Sequence, residues 1–142
     1  MIKNEKQLKI MRKNIRKFES ALDGLINESK FSKDLKLTMQ IDALKSDLSK
    51  FKGEVREFER LRSGAVKEIS ANSFHELPNV IIKARIARDL TQKELALKLG
   101  MREQQIQRYE TNNFASASFS VMERIVEALD ITIEEKASLN KA

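Results

Sequence analysis

The 142-residue chain contains no cysteine and no tryptophan, one histidine, one proline and four glycines. Without cysteine there is no disulfide framework, no thiolate metal site and no cysteine nucleophile. The lone histidine, His75, rules against a histidine-based metal centre or a Ser-His-Asp triad and reads as an exposed linker residue. No apolar run approaches the roughly 20 residues of a membrane span. The basic start, Met1-Ile2-Lys3-Asn4-Glu5-Lys6, lacks the apolar stretch of a signal peptide. Carboxylate pairs occur, but none lies beside a glycine-rich loop or a cluster of metal ligands. These absences predict an intracellular, soluble protein that is not an enzyme and uses no metal or cofactor. The scarcity of glycine and proline has a second consequence: helices can run long without interruption.

What is present is helical pattern and positive charge. The formal net charge is +6. Residues 1–74 carry the whole excess, 17 basic against 11 acidic side chains, whereas residues 75–142 balance at 10 each. The excess is densest at Lys3, Lys6, Lys9, Arg12, Lys13, Arg16 and Lys17, faced within residues 1–17 by Glu5 alone. Such a run is either a solvated helix face or a surface for nucleic acid or an acidic protein. Leu8, Met11, Ile15, Phe18, Leu22 and Leu25 recur at alternating spacings of 3 and 4, as do Leu37, Ile41, Leu44, Leu48, Phe51, Val55 and Phe58. That alternation is the seam of a coiled coil. It predicts helices at about 4–28 and 34–62, with Ser32 or Asp34 as the second N-cap and no break at Gly53. Joined by the short polar turn between them, they form an antiparallel hairpin over 1–64. A hairpin hides one stripe per helix, so it closes on itself or pairs with another copy or a partner. Ser63-Gly64 ends it, and 65–76 is a linker.

From residue 77 on, short helices follow in quick succession. Ser73 to Glu76 fits a capping box before Leu77-Pro78, and a helix at 78–88 carries Val80, Ile81, Ala84 and Ile86. Thr91-Gln92-Lys93-Glu94 is another capping box, opening a helix at 92–99 with Leu95, Ala96 and Leu99 inward. Gly100 stops it, and a third helix begins at Arg102 or Glu103 with Ile106 and Tyr109 inward. Two short helices around a glycine turn make a helix-turn-helix. Ser118 caps a fourth helix at 119–129, with Phe119, Met122, Ile125, Val126 and Leu129 inward. Thr132 and Glu135 cap a last one near 133–139.

The stretch Lys83-Ala-Arg-Ile-Ala-Arg-Asp-Leu-Thr-Gln-Lys-Glu-Leu-Ala-Leu-Lys-Leu-Gly100, followed by Gln105-Ile-Gln-Arg-Tyr-Glu110, resembles the Xre family, the Cro/repressor-type DNA-binding domains. The resemblance covers about 78–131, and it is looser for regulators of this type that carry a helical N-terminal extension, some of them antitoxins. It implies an all-α, five-helix repressor-like domain at 77–142 behind the N-terminal hairpin. It also implies that the third helix lies in the major groove of double-stranded DNA. The base-contacting candidates are then Glu103, Gln104, Gln105, Gln107 and Arg108, whose types suit adenine, guanine and cytosine edges. Gln92, at the start of the second helix, and Thr91, Lys93, Arg102, Asn112 and Asn113 become phosphate candidates. Arg85 and Glu110 match a family pair that forms an internal ion pair. Two positions depart from the pattern. Asp89 stands for a common glycine, which puts that turn in doubt, and Asn112 stands where a glycine often follows the third helix, a place Asn can fill in the left-handed conformation.

The expectation is a sequence-specific regulator, a repressor acting as a homodimer, cytoplasmic and nucleoid-associated when bound. The alternative is an antitoxin that autoregulates through the helix-turn-helix and holds a toxin on the hairpin. A bridging protein with the hairpin as its working surface is a third reading. Charge limits the first of these. Residues 76–113 carry seven basic and five acidic side chains, a small excess for a domain whose affinity comes mostly from phosphate neutralisation. Dimerisation or the basic first helix would have to supply the rest.

Overall fold

The computed structural model describes residues 1–32 and 34–139. Among them the protein is all-helical, with helices α1 (Glu5–Ser29), α2 (Leu35–Arg62), α3 (Leu77–Ala87), α4 (Gln92–Leu99), α5 (Glu103–Thr111) and α6 (Phe119–Ala128) and no strand. The chain divides into two compact units, Met1–Lys67 and Glu68–Ala142.

The first unit is the α1–α2 hairpin. Asn4 caps α1 by accepting from the Gln7 backbone N–H at 2.9 Å, and Asp34 caps α2 through the Lys36 N–H at 3.0 Å. The helices run antiparallel: Glu5 meets Arg62, Arg12 meets Glu59 at 2.6 Å, and Glu19 meets Lys52 at 2.6 Å. Phe18 and Phe51 pack edge to face across the seam, 5.3 Å between centroids. Gly53 lies inside α2 without interrupting it, and Gly64 follows at φ 71° as the left-handed stop. Burial is uneven along the seam. Leu8, Leu37, Ile41, Leu48, Phe58 and Leu61 are buried, whereas Met11, Ile15, Phe18, Leu22 and Leu25 of α1 and Leu44, Phe51 and Val55 of α2 are half-covered. Two helices cover each other along one stripe and have no third layer of their own.

The second unit opens with a single 3-10 turn at Phe74–Glu76. The Ser73 capping box does not form: the Ser73 side chain makes no cap bond, and Glu76 accepts instead from the Asn72 N–H at 2.8 Å. The Thr91 box does form, with Thr91 Oγ1 accepting from the Glu94 N–H at 3.1 Å and Glu94 accepting from the Thr91 N–H at 2.8 Å. Gly100 takes φ 65° and closes α4. Asp89 holds φ 52°, so the turn keeps its left-handed residue without glycine. After α5 the left-handed positions are Asn113 (φ 52°) and Phe114 (φ 59°), not Asn112, which stays at φ −98°. The cause is packing: Phe114 is buried and its ring stacks on Tyr109 with centroids 6.1 Å apart.

Two further expectations fail here. Phe119 is 65% exposed, because at 3.6 residues per turn it lies about 100° round α6 from the direction of the buried Ile125 and Leu129. The last helix near 133–139 is absent, and residues 131–139 carry no regular structure. Ile131, Thr132 and Ile133 are β-branched and lose side-chain freedom in a helix. Ile131 and Ile133 are half-covered and Thr132 is exposed, the period-two alternation of an extended segment.

The Thr91 N–H and then the Thr91 hydroxyl hold the Glu94 carboxyl below its usual value of 4.5. A lowered carboxylate stabilises the fold above its unfolded value and loses that contribution as pH falls through the folded value. Glu94→Gln should therefore melt below the parent at neutral pH. The gap should narrow once pH drops under 4.5 and vanish in stronger acid, as read from Tm against pH.

Candidate nucleic-acid interface

The buried positions of α5 are Ile106, Tyr109 and Glu110. Their spacing puts them on one helical face, and Glu103, Gln104, Gln107, Arg108 and Thr111 lie exposed. α5 packs on α4, and α4 also on α6. Arg124 of α6 donates to the Leu99 carbonyl at 2.7 Å, satisfying an otherwise open acceptor at the end of α4.

A buried polar cluster locks this arrangement. Arg85 of α3 grips Glu110 of α5 with two parallel bonds, Nε to Oε1 at 2.6 Å and Nη2 to Oε2 at 2.9 Å. Both side chains are nearly inaccessible. Arg85 Nη1 donates to the Leu90 carbonyl at 2.7 Å, and Gln92 Nε2 of α4 donates to Glu110 Oε2 at 2.7 Å. No buried side-chain nitrogen or oxygen among the described residues lacks a partner. The cluster therefore ties α3, the turn before α4, α4 and α5 together in one geometry.

The base-contact candidates divide by what already holds them. Gln105 is half-buried and donates to the Tyr109 hydroxyl at 2.7 Å, and Gln107 donates to Glu103 at 3.0 Å. Gln104 and Arg108 are exposed, one helical turn apart, and make no side-chain bond among the described residues. Among the phosphate candidates, Lys93, Arg102, Asn112 and Asn113 are exposed, and Asn112 donates to Ser116 Oγ at 2.8 Å. The Thr91 hydroxyl is taken by Glu94, and the Gln92 side chain is buried on Glu110. What these two can offer an anion is the backbone at the positive end of α4. Arg102, the N-cap of α5, makes no side-chain cap bond. Sequence reasoning did not find Gln92 in the core, because its place at a helix start signals exposure. It also missed Arg124, whose carbonyl partner is 25 residues away with no local pattern to mark it.

Residues 81–136 match the helix-turn-helix family model, less than half of the chain. No curated protein and no solved structure matches it. The matched module is a DNA-binding regulatory one rather than a catalytic one, and it supports a DNA-binding transcriptional regulator. No helix among the described residues is long and apolar enough to cross a membrane.

Removing one partner of a buried pair strands the other charge. Arg85→Ala should cost about 3–5 kcal/mol in urea unfolding. The double variant Arg85→Ala/Glu110→Ala should lose clearly less than the two single losses added, since the second change removes the stranded charge.

Proposed function

We propose that the protein is a sequence-specific transcriptional repressor that binds operator DNA as a homodimer, with α5 in the major groove. The observation that carries this reading is the pair Gln104 and Arg108: free, outward-facing side chains on a helix held rigidly from behind by Arg85 and Glu110. Gln suits the adenine edge and Arg the guanine edge, each good pair discriminating by about 1–3 kcal/mol. Gln105, Glu103 and Gln107 would reach bases only by exchanging their present bonds. Lys93, Arg102, Asn112, Asn113 and the α4 start, Thr91 and Gln92, set the register on the phosphates. The matched unit carries little net charge, so a single copy binds weakly. Two copies present two α5 helices about one DNA turn apart. This action places the protein on the nucleoid, in the cytoplasm.

A second reading has one observation of its own. Phe31, Leu35 and Met39 at the turn end of the hairpin are 92%, 75% and 65% exposed, a surface suited to a protein partner. It favours an antitoxin whose hairpin holds the product of a neighbouring gene. Co-purification of that product, lost in Leu35→Asp/Met39→Asp, distinguishes it.

For the leading reading the measurement is a footprint on the DNA upstream of the protein's own gene. The expected result is two protected half-sites about one turn apart, lost in Gln104→Ala/Arg108→Ala while Lys93→Ala weakens binding without changing the preferred sequence. Unprotected DNA at low salt with folded protein sinks autoregulation.

A further inference from the structure

We infer that the outer face of α1 is a second, sequence-independent binding surface for the phosphate backbone of duplex DNA. At 3.6 residues per turn, Lys6, Lys9, Lys13, Arg16 and Lys17 fall within an arc of about 100°. That arc lies opposite the seam residues Leu8, Met11, Ile15, Phe18 and Leu22. All five cations are exposed, and none makes an ion pair or side-chain hydrogen bond among the described residues. The acids of this stretch are elsewhere: Glu5 and Glu19 are turned to α2, on Arg62 and Lys52. Arg12, which flanks the stripe, is likewise taken by Glu59. The hairpin thus neutralises the side of α1 that meets α2 and leaves the far side positive over residues 6–17, the exposed acids Asp23 and Glu28 lying further along the helix.

An uncompensated stripe is self-repelling, and an anion array relieves it. The stripe spans about 16 Å along the helix, and duplex DNA presents one charge per roughly 1.7 Å of its axis. A membrane fits less well. Interfacial helices bury an apolar face in lipid, and the apolar face of α1 is spent on α2, leaving only Ile10 at the stripe's edge. Single-stranded nucleic acid fits less well too, because no aromatic side chain interrupts the stripe for bases to stack on. The choice of DNA rests on the reading of α5 above, but the residues are separate.

The test is the salt dependence of full-length protein on a random-sequence duplex, by fluorescence anisotropy. Each neutralised phosphate contributes about 0.9 to the slope of log K against log salt. The variant carrying Lys6→Gln, Lys9→Gln, Lys13→Gln, Arg16→Gln and Lys17→Gln should lose roughly 3 to 4.5 in slope. Gln keeps helix propensity close to that of Lys and Arg. Circular dichroism checks the fold, and the split sets Lys6/Lys9/Lys13→Gln and Arg16/Lys17→Gln should each lose a share. An unchanged slope in folded variants overturns the proposal. So does stripe-dependent binding to phosphatidylserine vesicles with no change on DNA. If Gln104→Ala/Arg108→Ala leaves operator binding intact while the stripe variant loses slope, the reading of α5 fails and this one stands.

Discussion

The second unit depends on a charge that no water solvates. α3, α4 and α5 are 11, 8 and 9 residues long, each too short to persist as an isolated helix in water. Burial of Ile81, Ile82, Leu95, Ala96 and Ile106 draws them together but resists sliding weakly, since hydrophobic attraction has little direction. The bidentate grip of Arg85 on Glu110, with Gln92 on the second oxygen, has direction. Burying these groups is costly unless every bond is made, so only one relative placement of the three helices is acceptable. The orientation of α5, and with it whatever Gln104 and Arg108 can touch, follows from that constraint.

The same logic sorts the outward face of α5. Tyr109 is buried and draws Gln105 to its hydroxyl, while Glu103 and Gln107 answer each other one turn apart. Residues that looked equivalent on a helical wheel therefore differ in what a ligand must displace. A side chain already bonded gives up one hydrogen bond to make another, and its net gain is small. A solvated, unpaired side chain gives up only water.

Features written in short stretches of sequence were legible. The Thr91–Glu94 box, the left-handed Gly100, the Asp34 cap and the alternating 3 and 4 spacings each depend on residues within one or two turns. They appear where the pattern put them. The failures are tertiary. Phe119 is apolar and heads α6, but the inward direction is set by Ile125 and Leu129, about 100° round the helix from it. Asn112 had the right chemistry for a left-handed turn, but burying Phe114 moved that turn on by one residue. The segment after α6 carried a capping pattern whose β-branched residues took an extended path instead. At the site, residue types and the face of α5 could be read in advance. Which side chains were free could not, because Gln105 and Gln92 are held by partners whose positions come from folding.

Charge adds a separate constraint on how such a unit can act. Its small basic excess lies in 76–113, the segment that holds α4 and α5, and residues 114–142 are acidic on balance. If that segment meets DNA as proposed, the charge pattern favours orientation over affinity. Each phosphate contact adds binding that salt erodes steeply, so a unit with few such contacts discriminates well only if something else holds it near the duplex. Under the proposed reading, specificity and affinity reside in different parts of the chain, so that each could change without the other. That separation follows from where particular acids sit: in α1, Glu5 and Glu19 pair across the seam, and in α5 the buried Glu110 carboxylate is held by Arg85.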